Sequence, residues 1–261
     1  LGRRQDGYHD LDSLVVFAAV GDEIELSPSH EHGLTLDGPF SHQVPSDSSN
    51  LTLAAVAALG EAVGRGDGVH IRLVKNLPVA AGLGGGSADA AAVLRGLARL
   101  WETGPSMAFP AVAQGLGADV PVCLRSRAAH VSGMGEDVEP LALEVPLPLV
   151  LVNCGKPLAT AHVFAQSQTY GAAATPQGES GMIDWVREQR NDLQTAAMVA
   201  VPEIEQVIRD LNDQAGCEMA RMSGSGATCF GLFETAAAAE AAAQAIGAAH
   251  AEWWVAAAQA Y

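Results

Sequence analysis

Hydrophobic and polar positions alternate with two different periods along this chain. Val69-His70-Ile71-Arg72-Leu73 repeats every second residue, which predicts a strand with one buried face. Leu14–Phe17 and Glu23–Leu26 predict two short strands on either side of a Gly21-Asp22 turn. Residues 31–50 are rich in His, Gly, Pro and Ser and read as loop, with one strand near Leu34–Leu36. The Ala/Leu/Val run Leu51–Val63 is helical in character, and Asn50 before it is a good N-cap. Ser87–Trp101 predicts a second helix and Met107–Gly115 a short third, while Val120–Leu124 and Ala128–Ser132 read as strands.

The stretch Leu141–Pro148 shows no clear period, and a domain boundary is expected there, giving parts 1–146 and 147–261. The second part opens with a strand at Leu149–Asn153. Helices are expected near Met182–Arg190, Asp192–Val199 and Pro202–Asn212. Glu218–Met222, the turn Ser223-Gly224-Ser225-Gly226 and Thr228–Phe233 form a strand–turn–strand signal. Ala236–Ala249 reads as a helix because alanine has the highest helix propensity, and Trp253–Ala258 as a last strand. Strands mixed with helices on one face give an α+β class in both halves.

Charge narrows the partners. Over 261 residues, Lys and Arg total 14 and Asp and Glu total 30, a formal net charge of −16. A chain this acidic lacks the basic face that nucleic acids and anionic membranes require, so neither is expected as a partner. No apolar run of about 18 residues marks a transmembrane helix. The cysteines, Cys123, Cys154, Cys217 and Cys229, have no close pairing and read as small buried hydrophobes of a reducing compartment. The histidines form no ligand set with them, so no metal site is expected. Cytoplasm is the expected location.

One segment carries chemistry. In Pro78-Val79-Ala80-Ala81-Gly82-Leu83-Gly84-Gly85-Gly86-Ser87-Ala88-Asp89-Ala90, four of the five residues 82–86 are glycine. Such a run loses much backbone entropy on folding and needs a reason. Successive N–H groups can turn toward one point there, and the following helix adds unsatisfied N–H groups and the positive end of its dipole, an anion nest suited to phosphate. Ser87 is placed either to cap that helix or to touch a phosphate or metal oxygen. The loop is no P-loop, since no Lys follows the glycines, and no dinucleotide fingerprint, since the third glycine is replaced by Ser87. With only Lys75 and Lys156 as lysines, a nucleotide here has to be held by a local nest, not by a basic field.

This loop resembles the phosphate loop of the GHMP kinases. Three more segments strengthen the resemblance: Asp6-Gly7-Tyr8-His9, Gly117-Ala118-Asp119-Val120-Pro121-Val122 and Met222-Ser223-Gly224-Ser225-Gly226-Ala227. Together, in this order, they are similar to the branch of that family whose acceptor is a cytidylyl-linked methylerythritol of the non-mevalonate isoprenoid route. The resemblance implies an N-terminal domain like domain 2 of ribosomal protein S5 and a C-terminal ferredoxin-like domain, with nucleotide and substrate in the cleft between them. It implies ATP-dependent phosphorylation of the tertiary 2-hydroxyl, with Mg²⁺ bridging the ATP phosphates. The family also carries a Pro-Ala-Lys-x-Asn strand upstream of the Asp6–His9 turn, whose Lys is catalytic. That motif is not in this sequence, and a truncated N-terminus is expected. Rival readings are another small-molecule GHMP kinase and a nucleotide-binding module without turnover.

Residue by residue, the resemblance assigns Asp119 as general base or as the carboxylate that orients the hydroxyl. Its context, between Gly117 and Pro121, reads as a turn entering a strand. The phosphate loop takes in Pro78, Gly82, Leu83, Gly84, Gly85, Gly86, Ser87 and Ala88. Asn50 and Leu51 match an adenine-side contact at a helix start, with a plain N-cap and core leucine as the alternative. Lys75 either reaches the adenine pocket or a phosphate or is an exposed strand lysine. Tyr8 and Phe164 are expected to sandwich the cytosine, with His9 reading its polar edge and Thr160 touching substrate. Asp137 reads as a solvated turn acid, and Asn191 and Asp192 as a structural helix start. A monomer or weak dimer is expected.

Overall fold

The computed structural model of the chain describes residues 2–3, 9–103, 109–143, 146–167, 171 and 182–261. Tyr8, with Asp6 and Gly7, and the first two residues of the expected Met107–Gly115 helix lie outside the described residues.

The first half runs β1 (Gly2–Arg3), β2 (His9–Val15), β3 (Glu23–Pro28), β4 (Gly33–Asp37), α1 (Leu51–Val63), β5 (Val69–Val74), α2 (Gly85–Leu100), α3 (Phe109–Leu116), α4 (Val120–Arg125), β6 (Ala129–Gly133) and β7 (Asp137–Pro140). Its strands form two sheets, β1-β2-β6-β7 and β3-β5-β4, with β4 parallel to β5 and the other pairs antiparallel. The two strands flanking Gly21-Asp22 are therefore not partners: β2 pairs β6 and β3 pairs β5.

The expected boundaries hold best where a capping residue marks them. α1 starts after Asn50, whose Oδ1 accepts the Thr52 N–H, and stops at Gly64, which takes a left-handed φ of 68°. In β5, Val69, Ile71 and Leu73 face the core, as the period-two pattern requires. The expected strand over Val120–Leu124 is instead the helix α4. Valine at 120 and 122 suits a strand, but Pro121 lies in the first turn of a helix, where its missing N–H costs nothing. β7 is a strand where a turn was expected, and places Asp137 at a strand start opposite Ser132.

The second half runs β8 (Leu147–Asn153), α5 (Thr160–Gln166), α6 (Met182–Glu188), α7 (Gln194–Ala200), α8 (Glu203–Asn212), β9 (Cys217–Met222), β10 (Thr228–Phe233), α9 (Ala236–Ala249) and β11 (Trp254–Ala260). β8 begins two residues before the expected Leu149, and α5 had no counterpart in the sequence reading. The antiparallel sheet has the order β11-β8-β10-β9. With helices crossing between β8 and β9 and between β10 and β11, this is the split βαβ, ferredoxin-like topology. The expected α+β class holds in both halves.

Three apolar clusters mark the layers. One joins α1, α2, β5 and their neighbours in the first half, and a second packs α7, α8 and α9 on one face of the C-terminal sheet. The third lies on the opposite face of that sheet, where Leu149, Leu151, Met219, Leu232 and Ala260 receive Ala18, Val20 and Leu83 from the first half. The backbone after β2 joins the same contact: Phe17 and Tyr261 exchange N–H···O bonds of 3.1 and 2.9 Å, and Ala19 N–H donates to Gln259 O at 2.8 Å. Ala18 and Ala260 form an antiparallel bridge there.

Candidate active site

The chain leaves β5, passes Lys75-Asn76-Leu77 and the buried Pro78, and turns through the glycines into α2. Gly82 and Gly84 hold φ of 73° and 65°, a left-handed backbone open to glycine at little cost. The N-cap of α2 is Gly84, so of the two roles open to Ser87 capping is excluded, and no side chain caps the helix. Ser87 is the third helical residue. Ala88 is the fourth, its N–H bonded to Gly84 O at 2.9 Å. A helix that starts inside the glycine run, with no side-chain acceptor at its end, presents its first N–H groups outward. A Cβ placed on Gly84 would meet nothing within 4 Å, so the space before this end is open. One placed on Gly86 would meet only Leu51 Cδ1, at 3.7 Å, so Leu51 borders the loop. Leu83 packs instead on the C-terminal sheet and anchors the loop there.

Asn50 is occupied as a cap. Its Oδ1 accepts from Thr52 N and Oγ1 at 2.9 and 2.7 Å, and its Nδ2 donates to Pro45 O at 2.8 Å. The N-cap expected of Asn50 is present.

Lys75 is the larger departure. It is 3% exposed, so the exposed-lysine reading is excluded. Its Nζ donates to Asp22 Oδ2 at 2.5 Å and to Asp89 Oδ2 at 2.7 Å, and reaches no open space of its own. Asp22 also accepts the Asn76 and Leu77 N–H groups on Oδ1, at 2.6 and 2.9 Å. Burial pushes the Asp89 carboxyl up to about 6, against the pull of the Lys75 ammonium and with a further push from Asp22. Sequence reasoning missed this group, although β5 held a signal. Buried positions 69, 71 and 73 put residue 75 on the inner side, and a lysine there needs partners.

The C-terminal half meets the loop through the Ser223–Gly226 turn. Ser223 Oγ donates to Gly82 O at 2.9 Å, and Thr228 N–H donates to Ala81 O at 3.1 Å. The approach is so close that a Cβ on Gly82 would stand 2.4 Å from Ser223 O and 2.7 Å from Gly226 N. Asn191 holds the turn from behind, its Nδ2 donating to Met222 O and Gly224 O at 2.9 and 2.7 Å, while its Oδ1 accepts the Leu193 N–H. The structural role expected of Asn191 is therefore specific.

From this turn the candidate residues form a connected path. Ser225 Oγ lies 2.8 Å from Thr160 Oγ1, at the start of α5. Phe164 is one turn further along α5, and its ring centroid is 5.0 Å from that of His9, tilted by 40°. The structure thus joins two of the three residues named for the cytosine; Tyr8 lies outside the described residues.

Asp119 precedes α4, not a strand, and its side chain does not cap that helix. It keeps solvent access, yet desolvation raises its carboxyl above the ordinary carboxylate value. The Cys123 thiol one turn later, pushed up to about 12 mainly by burial, feels Asp119 and, more weakly, Asp89. That places the start of α4 electrostatically near the base of the glycine loop. A thiol so raised is not a nucleophile. Among the described residues no three His, Cys, Asp or Glu side chains converge as a metal site, and no helix is long and apolar enough to cross a membrane.

Family models agree with these motifs. The GHMP kinases N terminal domain matches residues 50–127 and the GHMP kinases C terminal domain matches 181–252. A 4-diphosphocytidyl-2-C-methyl-D-erythritol kinase of Paramagnetospirillum magneticum is 48% identical, over 99% of this chain and 93% of its own length. One of Cereibacter sphaeroides is 47% identical, over 98% and 92%. A crystal structure of 4-(cytidine 5'-diphospho)-2C-methyl-D-erythritol kinase superposes with a TM-score of 0.81 at 34% identity, covering 99% of this chain and 92% of the other. A homoserine kinase structure from Cytophaga hutchinsonii shares the fold, with a TM-score of 0.75 at 20% identity over 93% and 87%.

Proposed function

This chain belongs to the GHMP kinases, and we propose that it transfers the γ-phosphoryl group of ATP to the tertiary 2-hydroxyl of 4-diphosphocytidyl-2-C-methyl-D-erythritol. The observation that carries this reading is the uncapped glycine turn at α2, open in front and bordered by Leu51. Its N–H groups and helix dipole hold phosphate without lysines, which suits a chain of net charge −16. The adenine lies toward Leu51, and Ser87 Oγ, on the first turn of α2, is the side chain placed to reach a phosphate oxygen.

The acceptor enters from the α5 side. His9 and Phe164 hold the cytosine, completed by Tyr8, and Thr160 contacts the substrate between the base and the phosphate loop. Asp119 accepts a hydrogen bond from the 2-hydroxyl. Phosphoryl transfer passes through a loose transition state, so the hydroxyl needs alignment first and loses its proton late. A carboxylate raised by desolvation is the better proton acceptor at that moment. Mg²⁺, when bound, neutralises charge on the phosphate oxygens. The chemistry of the site fits a metal held by those oxygens and water, with Ser87 Oγ as the available protein ligand. The working boundary is residue 146, just before β8, and the cytoplasm is the compartment that fits four free cysteines.

A coupled ADP-release assay with the cytidylyl substrate, mevalonate and homoserine tests the assignment. Turnover with the cytidylyl substrate alone is expected. Preference for either other alcohol, or ATP binding without turnover on any of the three, would overturn it.

A further inference from the structure

Beneath the glycine loop lies a set of charges that no step of the transfer uses. Asp22 comes from the linker between β2 and β3, Lys75 from the exit of β5, and Asp89 from the first turns of α2. Their side chains are 2%, 4% and 8% exposed. Two carboxylates and one ammonium in so little water are costly. A buried group of this kind adds little net stability over apolar packing, so what it does for the backbone around it is the feature to explain.

The geometry is that of a clamp on both ends of the loop. At the entrance, Asp22 Oδ1 accepts the Asn76 and Leu77 N–H groups. At the exit, Lys75 Nζ, held by Asp22 Oδ2, reaches Asp89 Oδ2 and comes within 3.3 Å of a Cβ placed on Gly85. The backbone of Lys75 is fixed as well, its N–H on Asp37 O at 2.7 Å and its carbonyl accepting from Phe40 at 3.1 Å. Gly82 and Gly84, both in the left-handed region, give the turn between these ends little stiffness of its own, so the spacing of the ends helps set where its N–H groups point.

We propose that Asp22 is a positioning residue for ATP: through Lys75 and Asp89 it fixes both ends of the phosphate loop and so sets the nest geometry without touching nucleotide. The proposal rests on the reading of this loop as the ATP site. Asp22 is 60 positions from Gly82 in sequence (82 − 22) and bears none of the resemblance motifs.

The test compares Asp22→Ala and the isosteric Asp22→Asn with the parent protein. Binding of ATP with Mg²⁺ is measured by calorimetry, and KM for ATP and for the cytidylyl substrate by ADP release. Asp22→Ala is expected to weaken ATP at least about tenfold while KM for the cytidylyl substrate changes less than threefold. Asp22→Asn keeps an acceptor for the two N–H groups but turns an amide NH₂ toward the Lys75 ammonium, and is expected to show an intermediate loss, about three- to fivefold, again with KM for the cytidylyl substrate little changed. Should Asp22→Ala fail to fold, the selective loss of ATP affinity is read from Asp22→Asn. Unchanged ATP affinity in the folded variants, or equal loss for both substrates, overturns the proposal whatever the thermal midpoint does. Because calorimetry needs no acceptor, a parent that binds ATP without turnover defeats the functional assignment while calorimetric binding of ATP, and of the cytidylyl substrate in place of its KM, still tests this proposal. A parent that binds no ATP defeats the loop reading itself.

Discussion

Gly82→Ala is the substitution for which the structure gives a magnitude. An alanine there must hold a φ of 73°, at about 1–2 kcal/mol for the left-handed region. Its Cβ would also sit 2.4 Å from Ser223 O, 2.7 Å from Gly226 N and 2.9 Å from Gly226 O, all backbone atoms with no rotamer to yield. Restoring an ordinary 3.4 Å contact needs a shift of about 1 Å between the loop and the C-terminal turn, and overpacking of this kind costs about 1–3 kcal/mol. The sum is about 2–5 kcal/mol, a fall in Tm of roughly 5–15 °C for a protein of this size. Gly84→Ala is the internal control. It has nearly the same φ, 65°, but meets nothing within 4 Å, so only the backbone cost of about 1–2 kcal/mol remains. Differential scanning calorimetry separates the two. A misplacement of about 1 Å between phosphate and acceptor also predicts a loss of kcat on the order of 10²-fold for Gly82→Ala in the ADP-release assay. Equal Tm losses for the two variants, or normal turnover by Gly82→Ala, would refute the claim that this contact sets the geometry between the halves.

Other expectations follow from single groups. Asp119→Asn should lower kcat by on the order of 10²-fold or more while calorimetric ATP binding persists; near-normal turnover would remove its role. Phe164→Ala should raise KM for the cytidylyl substrate far more than KM for ATP, and a matched rise in both would count against the base-stacking role. Asp89 predicts an inverted pH dependence. Its carboxyl is near 6 in the folded chain against 3.8 in the unfolded one, so between these values the folded state holds more protons and gains stability as pH falls. Relative to Asp89→Asn, the parent should therefore gain on the order of 2 kcal/mol between pH 6 and 4, measured by urea unfolding. A parent that instead loses ground to the variant over that window would contradict the burial-driven shift.

The sequence made some of this legible and hid the rest for physical reasons. α1 could be bounded to the residue because Asn50 caps it with a side-chain oxygen, a local signal, and α9 because its run is nearly all alanine, with Thr235 capping it in the structure. α2 could not, because its cap is a glycine without a side chain and the run looked like pure loop. α4 was hidden by two valines, although Pro121 pointed to a helix start. The phosphate loop was visible because its chemistry is contiguous in sequence. The Asp22–Lys75–Asp89 group was not, since its acids lie 53 and 14 positions from the lysine and only folding joins them. The phase of β5 was the one available hint.

The seam between Phe17–Ala19 and Gln259–Tyr261 has a consequence for synthesis. The apolar core of the first half draws on residues up to about 138 and can assemble while later residues are still inside the ribosome. Its attachment to the C-terminal sheet cannot, because the strand that receives residues 17–19 comes after every other described strand in the chain. Until β8 to β11 have been made, Ala18 and Val20, together with Leu83 from the glycine loop, lack the full surface that covers them. The nascent chain thus carries its phosphate loop without the Ser223–Gly226 turn through most of its elongation, and β11, made later still, completes the sheet and closes the seam at residues 17–19.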